Sequence, residues 1–180
     1  MAGIAAVSLL YDALGRLRKF CWKDLDEILH MRTIFEPALE QETISRIKRL
    51  TANRPGRWGT LTAPRMVCHL IDACMVPLHE RKVTVRQGFL TNRFARHAII
   101  FWAPWPKGKM PTIPEYYLVT QPDNFNSDVA RLCDYVHKTA DAGRNGFAFQ
   151  PHPAFGDLSR EQWGGLLYRH ANHHLTQFGV

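Results

Sequence analysis

The sequence has no hydrophobic run long enough to cross a membrane. A membrane-spanning helix needs roughly 18 or more consecutive apolar residues, and no stretch of these 180 residues approaches that length. The apolar segment 3–11 has no positive region before it and is followed by Arg16, Arg18 and Lys19, which is the reverse of a secretory signal. We therefore expect a cytoplasmic protein with no membrane partner.

Several familiar functional patterns are also missing. The four cysteines, at positions 21, 68, 74 and 133, show no C-x2-C spacing, so we expect reduced and mostly buried thiols. The sequence contains no Gly-rich phosphate loop, nucleophile elbow, internal repeat or low-complexity segment. A chain of 180 residues that is 46% hydrophobic suits one domain with a sizeable core.

Acidic residues are fewer than basic ones. The chain has 16 Asp and Glu against 23 Lys and Arg, for a net charge of +7. The basic residues are spread over segments 16–19, 46–49 and 81–96 and form no single stripe, and no common nucleic-acid motif is present. We therefore predict that nucleic acid is not a partner and that the charge attracts small anionic substrates.

Capping residues and apolar spacing predict helices and one irregular segment. Four main helices are expected over residues 39–51, from Thr62 to about 77–79, over 126–142, and from Ser159 onward. A further helical stretch is expected over 89–101. Segment 103–114 contains four prolines, which forbid regular helix, and it is predicted to be a connector, with a lid as the alternative.

The last predicted helix carries histidines on its core-facing stripe. Its members recur at intervals of 4, 3, 4 and 4 residues: Trp163, Leu167, His170, His174 and Phe178. A buried neutral imidazole needs partners for both ring nitrogens, and residues at i and i+4 project side by side, so a divalent metal is an economical partner. The alternative is a chance pair of histidines on a helix surface.

A third histidine lies on an earlier helix. His69 shares a face with Met66 and Leu70, again a core stripe. Three protein ligands with an open fourth position are typical of catalytic metal sites, because a closed shell leaves no room for water or substrate. The sequence therefore predicts a metal site formed by His69, His170 and His174, and assigns no catalytic general base.

Three polar residues accompany these ligands: Asp72, His173 and Gln177. Asp72 lies one turn after His69, and Gln177 lies one turn after His174, so each is predicted to bond the ring nitrogen that faces away from the metal. The alternative for both is a solvated or capping side chain. His173 is predicted to line the pocket, or to replace a ligand if the register differs.

Other candidates are assigned structural roles. His137 borders the apolar stripe of the third helix and is predicted to pack there. His152 is predicted to be a solvated loop residue, with a residue that reaches a pocket as the alternative, while Phe155 closes the end of the helices. Cys68 points away from His69 around the helix and is not predicted to be a ligand.

Three segments together carry a family resemblance. Residues 61–66 before His69, residues 152–163, and the ending H-x2-H-H-L-x-Q-F-G resemble the DinB/YfiT-like superfamily of metalloenzymes, in a branch of bacterial DinB-like domains of unknown function. The resemblance covers about residues 31–180. It implies an all-α, up-down four-helix bundle with one histidine ligand on the second helix and two on the fourth. Residues 1–30 form an extension, either an extra helix or the result of an upstream start codon.

The resemblance also implies a range of chemistry. Members of the superfamily include metal-dependent thiol transferases and a thiol-dependent isomerase, but this branch has no activity to transfer. We expect Zn or Ni, with Fe or Mn as alternatives, because imidazole suits several metals. The expected substrate is a small molecule, with a low-molecular-weight thiol ahead of water as the activated group. A non-catalytic metal-binding or stress-response bundle and a hydrolase remain alternatives, and a homodimer remains open.

Overall fold

The part of the chain that the structure describes is helical. A computed structural model describes residues 31–108, 116 and 119–180. The α-helices are α1 Pro37–Ile47, α2 Ala63–Met75, α3 Arg93–Phe101, α4 Phe125–Arg144 and α5 Arg160–Gln177, with a 3-10 turn at Phe89–Thr91. Within the described ranges no residue belongs to a β-strand. The predicted all-α class is confirmed there, and the predicted extension over 1–30 lies outside the described residues.

Residues Arg32–Val180 form one compact unit. Among the described helices, none combines the length and the apolar character needed to cross a membrane. Of the Pro-rich segment, residues 103–108 are described and begin directly after α3. The choice between connector and lid for this segment stays a prediction.

Two helices begin at the predicted caps. The Thr62 side chain accepts a hydrogen bond from the backbone N–H of Arg65 at the start of α2. At the start of α5, Ser159 and Gln162 form a reciprocal capping box, in which each side chain accepts from the other residue's backbone N–H. These bonds satisfy backbone donors that have no partner inside the helix, so the caps set where α2 and α5 begin.

Two differences from the predicted helix bounds have a clear structural cause. α1 ends at Ile47 instead of 51, because the chain continues as a turn in which the Leu50 N–H donates to the Ile47 carbonyl and Leu50 becomes buried. The predicted helix over 89–101 is interrupted at Asn92. The Asn92 side chain accepts from the first N–H groups of α3, so the residues before it form a separate 3-10 turn.

Helices α1, α2, α4 and α5 surround a shared core. Helix α4 contacts α1, α2 and α5, and α5 also contacts α1 and α2, while α3 packs against α5. The largest fully buried side chains include Trp163, Phe178, Ile47, Met66, Ile71, Ile100, Leu132 and Leu175. A side chain at Gly165 would place its Cβ 2.3 Å from the ring of Phe101, so the glycine allows α3 to approach α5 closely.

A buried carboxylate ties α1 to α4. Glu40 is buried, and its two oxygens accept from His137 Nδ1 at 2.6 Å and from Arg144 Nη1 at 2.6 Å. The prediction that His137 packs at the border of the apolar stripe of α4 is wrong, because its side chain is 67% exposed. A buried carboxylate without hydrogen-bond partners would destabilise the fold. From its exposed position on α4, His137 provides Glu40 with one of these partners.

An arginine on α5 holds the end of α3. The Arg169 guanidinium donates to the carbonyls of Ile99, Ile100 and Ala103 at 2.7 to 3.0 Å. The last carbonyls of a helix accept no hydrogen bond within the helix and carry partial negative charge. A guanidinium at this position supplies both hydrogen-bond donors and a positive charge. The first residues after α3 are thereby attached to α5.

We expect Trp163→Ala to lower the free energy of unfolding by about 3–5 kcal/mol, because Trp163 is fully buried and its loss leaves a cavity. The indole Nε1 also donates to the Gln150 carbonyl, which would lose that partner. Urea denaturation followed by circular dichroism measures the change. Phe94→Ala, at a residue that is 79% exposed, is the control and should change stability by less than about 0.5 kcal/mol. Equal effects of the two substitutions would contradict the assigned core.

Candidate metal centre

Three histidines from two helices converge. His69 comes from α2, and His170 and His174 come from α5 one turn apart. One ring nitrogen of each lies within 4.8 Å of the other two, and the His69 and His170 Nε2 atoms are 2.9 Å apart. The ring centroids are separated by 4.8 to 5.0 Å. We call these three residues the triad, and the structure brings together the residues that the sequence analysis selected as ligands.

Hydrogen bonds set the orientation of two of the rings. The Nδ1–H of His69 donates to the Tyr116 carbonyl at 2.9 Å, and the Nδ1–H of His174 donates to Gln177 Oε1 at 2.8 Å. The Gln177 amide is itself oriented, because its Nε2 donates to the Trp58 carbonyl at 2.6 Å. With the hydrogen on Nδ1, each neutral ring keeps a lone pair on Nε2, which is the form that a metal binds.

Of the two residues that were expected to orient the rings, one makes the predicted hydrogen bond and the other does not. Gln177 contacts His174 as proposed from its spacing. Asp72 does not bond His69, because its fully buried carboxylate accepts from Arg81 at 2.7 Å and from the Thr120 N–H and hydroxyl at 3.0 and 2.6 Å. A buried carboxylate is stabilised more by a guanidinium than by a neutral imidazole. The Tyr116 carbonyl supplies the bond to His69 instead.

His173 lies beside the triad and against two indoles. Its ring centroid is 5.2 Å from His174, 5.8 Å from Trp58 and 5.9 Å from Trp105. The residue is half-buried and lines the cavity described below. The structure therefore places His173 in the wall of the site.

His152 is not the solvated loop histidine that the sequence suggested. It is 3% exposed, and its Nδ1 accepts from the backbone N–H groups of Ala154 and Phe155 at 3.0 and 3.1 Å. The tight turn closed by a bridge between His152 and Gly156 folds the ring inward, against Trp163. Because Nδ1 accepts, the neutral ring carries its hydrogen on Nε2. Phe155 is buried beside it.

The triad faces a cavity of about 400 Å³. Besides the triad, the lining residues include Trp58, Leu90, Trp105, Tyr116, His152, Phe155, Leu166, His173 and Gln177. Among the described lining residues there is no aspartate and no glutamate. The volume and the aromatic walls suit a small organic molecule.

Burial keeps the triad neutral. It lowers the pKa of His69, and it lowers that of His174 to about 3, with the neighbouring His69 adding to the effect. Burial and the surrounding imidazoles hold the pKa of His170 well below its usual range. All three rings are therefore unprotonated at neutral pH and can act as ligands.

The described cysteines take no part in the triad. Cys68, Cys74 and Cys133 are buried and free of disulfides, as predicted. Burial raises the pKa of Cys68 to about 11 and that of Cys74 to about 12, so both thiols stay protonated. Cys21 lies outside the described residues.

Comparison with known families finds a similarity over part of the chain. Residues 97–179 are similar to a family described as "Protein of unknown function (DUF1569)". This segment is a little under half of the chain and contains His170 and His174 but not His69. No curated protein and no solved structure matches the chain. The family description assigns no activity, so the geometry of the site carries the functional argument.

We expect acidification to destabilise the metal-free protein through His174. The unfolded chain takes up a proton near pH 6.5, whereas folded His174 does so only near pH 3. As the pH falls from 7 to 5, protonation therefore favours the unfolded state by about 2 kcal/mol at this residue. Denaturation at both pH values, with chelator present, measures the loss, and His174→Gln should lose less stability than the parent. The same loss in both proteins would contradict the neutral buried state of His174.

Proposed function

We propose that His69, His170 and His174 bind one divalent metal ion and leave a coordination position open to the cavity. The observation that carries this proposal is the convergence of three neutral imidazoles at the wall of a cavity of about 400 Å³. A closed four-ligand shell would favour a structural ion, and the described residues supply only three grouped ligands. Zn or Ni is the first expectation, with Fe or Mn as alternatives.

The residues fit such an ion with small adjustments. Metal–imidazole bonds are about 2.0–2.1 Å long, so two nitrogens on one ion lie at most about 4.2 Å apart. The triad nitrogens lie within 4.8 Å of one another. Rotating the rings so that these atoms shift by less than about 1 Å brings them close enough to share one ion. The Nδ1 bonds of His69 and His174 already select the tautomer with a free Nε2.

The same arrangement supports membership of the DinB-like superfamily, which we propose on the combined pattern. Helices α1, α2, α4 and α5 would form the up-down four-helix bundle, and α3 would be an addition packed on α5. The ligands then lie on the second and fourth bundle helices, as that resemblance implies. The similarity of residues 97–179 to a family of unknown function leaves the activity open.

We further propose that the site activates a small thiol for transfer to an electrophile. A bound divalent ion lowers the pKa of a thiol or of water toward neutrality and makes it nucleophilic. Tyr116 and Gln177 hold the ligand rings in place, while the aromatic walls limit the access of water. Of the two further histidines in the described wall, His173 is the candidate to accept the proton that the thiol loses, because the Nδ1 of His152 already accepts from two backbone N–H groups.

One observation bears on the choice among the candidate functions. Metal-dependent hydrolysis commonly uses a carboxylate as general base, and none lines the described part of the cavity. This places thiol transfer ahead of hydrolysis. It also keeps a non-catalytic metal-binding or stress-response protein as the second candidate.

We expect protein purified without chelator to hold about one divalent ion per chain. His69→Ala and His174→Ala should each lose most of it, because two imidazoles hold an ion far more weakly than three. Metal content after dialysis, measured by mass spectrometry, checks this. His97→Ala is the matched control, since His97 lies on α3 against Phe101 and Trp102 and does not line the cavity. Full occupancy in both triad variants would refute the site.

We expect metal-loaded protein to accelerate the reaction of glutathione with 1-chloro-2,4-dinitrobenzene, in which the thiolate sulfur bonds to the ring and chloride leaves. His170→Ala should reduce the protein-dependent rate by more than about tenfold, because it removes a ligand. Absorbance of the conjugate measures the rate, with His97→Ala as control. If parent and His170→Ala react equally, with several thiols and with metal loading confirmed in the parent, thiol transfer is excluded.

A further inference from the structure

The described wall of the cavity carries no charged side chain. Nineteen described residues line it, and none of them is aspartate, glutamate, lysine or arginine. The three histidines of the triad are part of this wall and are neutral, because burial lowers the pKa of each. An ion that enters such a cavity loses its hydration, and no opposite charge in the described wall replaces it.

Three N–H donors of the wall residues already bond acceptors within the protein. The Nδ1–H of His69 donates to the Tyr116 carbonyl, and the Nδ1–H of His174 donates to Gln177. The Gln177 amide donates in turn to the Trp58 carbonyl. A buried anion needs such donors in place of the water it has lost, and these three are not available to it.

A positive charge beside the wall disfavours a cation. The Arg169 guanidinium lies 5.3 Å from the centroid of the Trp105 ring and donates to backbone carbonyls at the end of α3. Burial lowers the pKa of His173, and the charge of Arg169 lowers it further. An organic cation beside Trp105 would experience the same repulsion. Because Arg169 does not line the cavity, it cannot form an ion pair with a bound anion either.

The rest of the described wall is mainly aromatic and aliphatic. The rings of Trp58 and Trp105 lie 5.8 and 5.9 Å from the ring of His173, and the Tyr116 ring lies 6.0 Å from that of His170, with 28° between their planes. Other apolar lining residues are Leu61, Leu90, Phe155, Leu166 and Leu167. Aromatic side chains attract a flat aromatic ligand through stacked and edge-to-face contacts, in addition to the burial of its apolar surface.

We propose that the cavity binds a small uncharged aromatic molecule next to the triad and discriminates against ions of either sign. This rests on the proposed function, since it names the class of electrophile that the thiol attacks at the same site. A cavity of about 400 Å³ is within the range of pockets that hold small organic molecules. Selection at this site therefore depends on the charge of the ligand as well as on its shape.

The test uses two pairs of probes that match in size and differ in charge. Naphthalene-2-methanol is paired with naphthalene-2-methylammonium, and naphthalene-2-carboxamide is paired with naphthalene-2-carboxylate. Their binding to the full chain is measured by titration calorimetry at neutral pH with EDTA present, so that no bound metal ion attracts the anion or repels the cation. We expect each uncharged probe to bind at least about tenfold more tightly than its charged partner, because the charge is buried without compensation.

Two substitutions test the aromatic wall while keeping it apolar. Trp105→Leu and Phe155→Leu should each weaken the binding of naphthalene-2-methanol by about threefold or more, because each removes a ring contact. Trp102→Leu and Phe94→Leu are the matched controls and should bind like the parent, since both residues are exposed and lie outside the cavity lining. Circular dichroism checks that each variant is folded, and the two ring variants are independent of each other in this respect.

A third substitution tests the exclusion of cations directly. Leu90→Glu places a carboxylate in the wall, where it can pair with naphthalene-2-methylammonium, and should reduce the preference for the alcohol over the ammonium by about fivefold or more. Phe89→Glu adds the same charge at the preceding residue, which is 78% exposed and outside the cavity lining. This control should keep the preference of the parent.

The proposal is overturned if the parent binds a charged probe as tightly as its uncharged partner, or if it binds neither uncharged probe. It is also overturned if both folded ring variants bind like the parent. Because the titrations are made without metal, these results are independent of the metal analysis. A parent protein that holds no metal but prefers uncharged probes would refute the proposed function and leave the aromatic site standing. The reverse result would refute only the aromatic site.

Discussion

The hydrogen bonds donated by two buried imidazoles determine how the surrounding chain is arranged. His69 and His174 are buried and neutral, so each ring must place one N–H on an acceptor or lose that bond on folding. The acceptors are the Tyr116 carbonyl and Gln177, and Gln177 is held in turn by the Trp58 carbonyl. The segments before α2 and after α3 are therefore attached to the triad by their backbones. The same segments provide aromatic walls of the cavity.

Helix α5 connects these parts. It begins at a capping box, presents Gly165 where α3 packs closely, and carries two triad residues in its second half. Its far end is fixed by arginines from elsewhere in the chain. Arg46 of α1 donates to the Val180 backbone oxygen, and Arg54 donates to the carbonyls of Phe178 and Gly179. The position of the triad thus depends on contacts along the whole helix.

Local patterns predict the helices and the pair His170 and His174 well, because the evidence for each lies within one helix. The capping box, the apolar stripe of α5 and the i, i+4 pair His170 and His174 are all of this kind. The bond between His174 and Gln177 is also local, since it joins residues one turn apart.

Contacts between distant segments are not encoded in such patterns. Asp72 has the right spacing to reach His69, but Arg81 and Thr120 compete for its carboxylate, and neither can be identified from the spacing. Tyr116 acts through its backbone carbonyl, which every residue possesses, so no side-chain pattern marks it. The inward turn of His152 depends on backbone N–H groups for the same reason.

The hydrogen bonds from Arg169 to the last carbonyls of α3 affect how the site responds to a change in pH. Burial lowers the pKa of this guanidinium, yet arginine remains protonated at any pH that a cell experiences. Its charge is balanced by peptide dipoles, which do not titrate. The indole of Trp105 and the imidazole of His173 consequently experience a positive field that is constant between acidic and alkaline conditions. Shifts in the proton balance of the cavity wall must then arise from the imidazoles themselves or from what binds to them.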